Sequence, residues 1–208
     1  MIQDVAPGLW IWRTEHPDHG GDPHEWDPVV TCTCVESRGE VALLDPLGGG
    51  EEVEARLAAS PPTYIVILKP DHVRDVDRYA RRYGIPAYGP ALFWPGDVPE
   101  VEAVARGSEL PGGLGCLWDG RGRTETPLWL PEQRAIVFAD GMTAPEGELR
   151  IWDSPEHERW VLPAFEAMLE LPFEIVIVSH GDPAVHDRAA FERALELPTW
   201  ATTRPGGG

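Results

Sequence analysis

Two short apolar runs constrain this chain more than any other feature: Tyr64-Ile-Val-Ile-Leu68 and Phe173-Glu-Ile-Val-Ile-Val178. Runs of this length, bounded by turn residues, read as strands buried on both faces. Around them lie more strand segments than helices, which fits poorly with a doubly wound sheet. The pattern predicts an α/β (α+β) fold in which two mixed sheets are packed together and flanked by helices.

The remaining elements fill in that plan. Gly8 to Arg13 reads as a first strand, and Val29–Glu36 with Glu40–Asp45 as a hairpin turning at Ser37-Arg38-Gly39. A helix is expected from Glu51 to Ala59. Another is expected from Asp71 to Tyr83, where Val73, Val76, Ala80 and Tyr83 keep helical spacing and Gly84 ends it. Ile85–Tyr88, Leu114–Trp118, Pro127–Leu130 and Ala135–Phe138 read as strands. Ser154 and Pro155 open a helix to Leu169, and Asp187–Leu195 forms the last one. Residues 1–200 are expected to form a single domain, with 201–208 as a loose tail.

Composition narrows the partners. The net charge is −18, from 17 basic and 35 acidic side chains, and a surface so acidic repels nucleic acid and anionic membranes. No apolar run approaches the roughly 18 residues of a membrane-crossing helix. The three cysteines, Cys32, Cys34 and Cys116, are too few and too scattered for a disulfide framework. Reduced thiols in a cytoplasmic protein, monomeric or homodimeric, are the expectation. Cys32 and Cys34 lie two apart on one strand, so both face the same way, as packing residues.

Chemistry-bearing residues fall at strand ends. Val66-Ile-Leu-Lys-Pro-Asp-His-Val-Arg-Asp75 joins a buried strand to a helix through a loop with His and Asp. Asp45 closes the strand Leu-Leu-Asp. Gly122-Arg-Thr-Glu-Thr126, Phe138-Ala-Asp-Gly141 and Val178-Ser-His-Gly181 each follow or precede a strand. In this order the segments resemble the metallo-β-lactamase superfamily. Residues 69–75 stand where that family has Thr-His-x-His-x-Asp-His, with His72 on the second His, Arg74 on the Asp and Asp75 on the final His. Arg123 falls on a ligand His, Asp140 on the bridging carboxylate, and His180 on the closing His-Gly. The resemblance spans residues 5 to about 181 and implies a four-layer αββα sandwich of the metallo-β-lactamase type.

The resemblance also implies a metal-dependent hydrolase, but with part of the ligand set replaced. His72, Asp140 and His180 are kept, Asp75 is a carboxylate in place of an imidazole, and Pro70 offers no side-chain ligand. Arg74 and Arg123 place positive charge where ligands belong, which repels a pair of bare dications. Three readings stay open. In the first, one divalent metal (zinc, iron or manganese) sits among His72, Asp75, Asp140 and His180 and activates water against a small anionic ester or phosphoester. Asp140 and His72 then serve catalysis, while Arg74 and Arg123 anchor the anion. In the second, the arginines replace the metals, no metal binds, and the pocket is a non-catalytic binding site for a small molecule. In the third, His72 and a carboxylate work as acid and base without metal.

The loop from Glu15 to Asp27 carries His16, His19 and His24 among acids, in a spacing that matches no compact metal motif. His24 or Trp26 is expected to line the pocket, with His24 binding substrate. His157 and His186 read as surface histidines, most tryptophans as core, and Trp94 as a side chain that caps a cleft, packs in the core or serves self-association.

Overall fold

The computed structural model describes residues 1–19, 27–90, 100–117 and 125–201. Its first half is one sheet. Strands β1 (Ile2–Ala6), β2 (Leu9–Glu15), β3 (Val29–Ser37) and β4 (Glu40–Leu44) run antiparallel in chain order. Tight turns join them, with Gly8 (φ 71°) between β1 and β2 and Arg38-Gly39 (φ 51° and 82°) between β3 and β4. Helix α1 (Glu51–Ala59) then crosses over to β5 (Tyr64–Val66), which lies parallel to β4. Helix α2 (Val76–Tyr83) crosses to β6 (Ala87–Gly89), and β7 (Glu102–Ala103) extends the parallel part.

The second half builds another sheet. Strands β8 (Gly115–Cys116), β9 (Leu128–Leu130) and β10 (Ala135–Val137) are antiparallel. The short strands β11 (Met142–Thr143) and β12 (Arg150–Ile151) pair with each other. Helix α3 (Leu162–Met168) leads to β13 (Ile175–Ile177), parallel to β10, and β14 (Val185–Asp187) closes the edge before α4 (Arg188–Glu196). Among the described residues the sheets hold seven and five strands, both of mixed direction.

Side-chain alternation turns these strands into layers. Leu9, Ile11, Leu44, Tyr64 and Val66 meet Leu128, Leu130, Ala135, Val137 and Ile177 in one core between the sheets. The intervening residues of the first sheet, Trp10, Trp12, Cys32, Cys34, Leu43 and Ile65, pack outward on Val53 and Leu57 of α1 and Val76 and Tyr79 of α2. Those of the second, Ile136, Phe138, Val176 and Val178, pack on Phe165 of α3 and Phe191 of α4. The expected αββα sandwich is therefore what forms. A one-residue slip of β2 would exchange Leu9 and Ile11 for two tryptophans in the central core, so register is tightly held. The three cysteines are free and buried.

Some expected boundaries shift. The helix expected from Asp71 starts only at Val76, because residues 71–75 turn instead: Arg74 takes a left-handed backbone (φ 44°), and the Asp75 N–H donates to Pro46 O at 3.1 Å. The helix expected from Pro155 to Leu169 begins with a wide π-helical turn, His157–Val161, before α3. Pro163, the second residue of α3, has no N–H for the carbonyl four residues back, and the wide turn precedes it. Ser154 Oγ accepts from the Glu156 N–H at 3.2 Å, but Glu156 holds the cap position before His157 with no side-chain cap bond, so Ser154 is not the N-cap that was expected. Strands β1, β7, β11, β12 and β14 were not expected; four of them are short and β1 is half-exposed, so periodicity is weak. All but the first residue of the expected 201–208 tail falls outside the described residues. Among those described, no helix is long and apolar enough to cross a membrane.

Candidate metal centre

Parallel strands β4 and β5 end at the same edge of the first sheet, and β10 and β13 at the same edge of the second. The two edges are stitched together, with Thr31 N–H donating to Ser179 O at 2.8 Å and Thr126 N–H to Leu68 O at 2.6 Å. The segments leaving these strands carry Asp45, Lys69–Asp75, Asp140 and Ser179–His180, and they meet over one cleft of about 450 Å³.

Asp45 anchors the site. It is 3% exposed and holds a left-handed backbone (φ 45°), which turns the chain sharply after β4. Its Oδ1 accepts the Leu68 N–H at 2.7 Å, and its Oδ2 lies 2.7 Å from His72 Nδ1. That contact aims His72 Nε2 at Asp140 Oδ1, 3.2 Å away. His180, leaving β13 and bridged to Val30 by its backbone, turns its own Nε2 to the same oxygen at 3.2 Å. The three ligand atoms lie within 4.8 Å of one another.

Two more carboxylates and a lysine complete the wall. Glu125 is 4% exposed, and its Oε2 accepts backbone N–H bonds from Asp140 (2.5 Å) and Gly141 (2.6 Å). Lys69 Nζ lies 2.6 Å from Asp140 Oδ2 and 2.6 Å from Asp71 Oδ2. Trp152, just past β12, lines the cleft; Trp200 packs against it edge to face at 4.9 Å, and the His180 ring lies 6.2 Å away.

Burial sets the charges against their neighbours. Burial and Arg74 both oppose a charged His72, but Asp140 and Asp45 outweigh them and lift its pKa to about 9. Burial opposes an ionised Asp140 too, yet His72 and Lys69 hold it well below the usual carboxylate range. For Glu125, burial and the charge of Asp140 push the pKa up to about 7, against the pull of its two backbone donors and of Lys69.

The structure brings together His72, Asp140 and His180 of the expected ligands. Asp75 does not join them, which corrects the expectation of a fourth ligand. Its Oδ2 accepts the Gly48 N–H at 2.8 Å and lies 3.5 Å from Arg78, because the chain reverses at Arg74 and carries Asp75 to the start of α2. Arg74 does reach the cleft, but its guanidinium is engaged with Asp45 O at 2.9 Å and Ser179 Oγ at 2.8 Å. It braces the two sheets. Arg123, Trp94, His24 and Trp26 lie outside the described residues. Among the described residues of the histidine loop, His16 lines the cleft. Lys69 and Asp71 stood inside the segment that drew attention to His72, and their charges were the signal. Glu125 stood in the Gly122–Thr126 segment already singled out, whereas Trp152 carried no such signal, because only tertiary packing places it here.

The residues present fit a single divalent cation. Donors about 2.0–2.2 Å from a tetrahedral ion stand roughly 3.3–3.5 Å apart, close to the 3.2 Å between Asp140 Oδ1 and each imidazole nitrogen. That oxygen is buried and lies 3.2 Å from both nitrogens, so the three ligand atoms face one another. The Asp45–His72 pair is the support that metal-bound imidazoles commonly have.

The sequence matches no family model and no curated protein. Solved structures do match. A metallo-β-lactamase from Erythrobacter litoralis with β-mercaptoethanol in its active site is 16% identical, with 94% of each chain covered and a TM-score of 0.71. One from Pontibacter korlensis is 16% identical, over 95% of this chain and 97% of that one, with a TM-score of 0.67. FIM-1 from Pseudomonas aeruginosa, in its mono-zinc form, is 17% identical over 95% and 93%, also with a TM-score of 0.67. With its four layers and these likenesses, the chain has the fold of the metallo-β-lactamases.

Proposed function

We propose that this protein is a hydrolase working with one divalent cation, on a small ester or phosphoester that carries an anionic group. The observation behind this reading is the convergence of His72 Nε2, Asp140 Oδ1 and His180 Nε2 on one point. A cation bound there would lower the pKa of a coordinated water to about 7 and polarise the scissile group. Two imidazoles and one carboxylate with open positions suit zinc, iron or manganese. The mono-zinc form of FIM-1 supports a single ion as a workable occupancy for the fold.

The chain's own residues take the remaining duties. Asp45 fixes the orientation of His72, and Glu125 holds the backbone on which Asp140 sits. Lys69 and Arg74 bring positive charge to a wall otherwise dominated by carboxylates, which favours an anionic substrate. Trp152 and Val161 offer an apolar face for the rest of the molecule.

A second reading has its own support: a metal-free pocket for a small molecule. The Lys69–Asp140 pair and a protonated His72 already balance the Asp140 charge. Lys69 would carry this reading, since Arg74 Nη1 and Nη2 are bonded to Asp45 O and Ser179 Oγ.

Elemental analysis of untagged protein, beside Asp140→Ala and His180→Ala variants, separates the two. Near-stoichiometric metal, lost in both variants, together with turnover of an aryl ester or a bis-aryl phosphate, supports the hydrolase. Protein that takes up neither zinc, manganese nor iron after dialysis would sink it.

A further inference from the structure

Asp140 offers its two oxygens to different neighbours. Oδ1 faces the imidazoles of His72 and His180, each at 3.2 Å. Oδ2 faces the ammonium of Lys69 at 2.6 Å, and the same ammonium meets Asp71 Oδ2 at 2.6 Å. A metal ion shared by those two carboxylate oxygens would stand about 2.0–2.6 Å from each. Lys69 Nζ therefore occupies the point such an ion would take, and the Lys69 side chain is only 20% exposed.

We propose that the Lys69 ammonium is a built-in second cation: Asp140 bridges it to a single divalent ion, and Lys69 closes the space between Asp140 and Asp71 to any further metal. This rests on the one-cation reading above and specifies its stoichiometry. The physical case is occupancy plus repulsion. A tethered ammonium cannot diffuse away, and a dication within a few ångströms of it in a low-dielectric cleft is strongly disfavoured. With Lys69 gone, two carboxylates face each other with no positive charge between them, an arrangement that draws in a cation.

The test is metal stoichiometry. Wild type, Lys69→Ala, Lys69→Arg and the double variant Lys69→Ala/Asp71→Asn are equilibrated with excess zinc and freed of unbound ion. Metal per chain is then read by plasma mass spectrometry and native mass spectrometry, with circular dichroism to confirm folding. One ion in wild type and Lys69→Arg, two in Lys69→Ala, and one again in the double variant support the proposal. One ion in both wild type and Lys69→Ala overturns it and leaves the one-cation hydrolase standing. No ion in wild type but one in Lys69→Ala supports Lys69 as the resident cation and overturns the hydrolase. No ion in either overturns both, and two ions in wild type overturn the proposal whatever the variants do. If Lys69→Ala does not fold, Lys69→Gln replaces it, with the same readings.

Discussion

Asp45 Oδ2 stands 2.7 Å from His72 Nδ1, deep in the protein, while the other oxygen of Asp45 holds the Leu68 N–H. One side chain thus couples the end of β5 to the orientation of a candidate ligand. An Asp45→Asn substitution keeps the shape but loses the charge that makes His72 Nδ1 a fixed donor. Metal affinity should fall by about 10–100-fold, measured by competition with a chromogenic chelator. An unchanged affinity would show that the pair is only structural.

Arg74 ties Asp45 O to Ser179 Oγ and so links the two sheet edges. Arg74→Ala should destabilise the fold by about 1.5–3 kcal/mol, the value of charged hydrogen bonds. Lysine should recover little of it, having a single ammonium where two directed donors are needed. Urea unfolding of both variants checks this. Full recovery by lysine would mean that charge, not the guanidinium fork, matters.

Glu125 accepts two backbone N–H bonds, from Asp140 and Gly141. Glu125→Ala leaves both donors without that partner in a buried place, at a cost of about 1–3 kcal/mol each. Glu125→Gln keeps an accepting oxygen and should lose much less. Chemical denaturation separates the two. Equal losses would indicate that water replaces the carboxylate in both.

His186, on β14, has its pKa lowered by burial, partly offset by its bond with the Pro183 backbone and by Asp187. Because the folded pKa lies below the unfolded value of 6.5, the unfolded chain takes up a proton first as pH falls. The neutral form's contribution is therefore present above pH 6.5 and is lost below it. Wild-type stability should drop more between about pH 7 and 5 than that of His186→Gln. Parallel stability curves for the two proteins would remove His186 as the cause.

Burial pushes the thiol of Cys32 up to about 11, Cys34 up to about 12 and Cys116 up to about 11. Native protein at pH 8 should react negligibly with a thiol reagent, and all three cysteines should react once it is denatured. A rapid native reaction would place at least one thiol at the surface.

Much of this protein is legible in its sequence alone. Alternation in Leu9–Trp12 and the unbroken apolar runs at Tyr64–Leu68 and Phe173–Val178 determine which strands are half-covered and which are fully enclosed. That settles the four layers, because an enclosed strand needs apolar neighbours on both sides. The sequence also marks His72, Asp140 and His180 as strand-end residues, and strand ends are where parallel neighbours deliver their loops to one edge. Local periodicity cannot see what depends on distant partners. Asp75 had the right chemistry and the wrong direction, because a left-handed turn at Arg74, braced from Asp45 and Ser179, swings it to Gly48. Lys69 faces Asp140 only because strand-end segments of two different sheets converge there, and Glu125 meets it because antiparallel β9 and β10 bring their ends together. Which charges share a low-dielectric cleft is a property of that convergence, so it was decided by the tertiary structure.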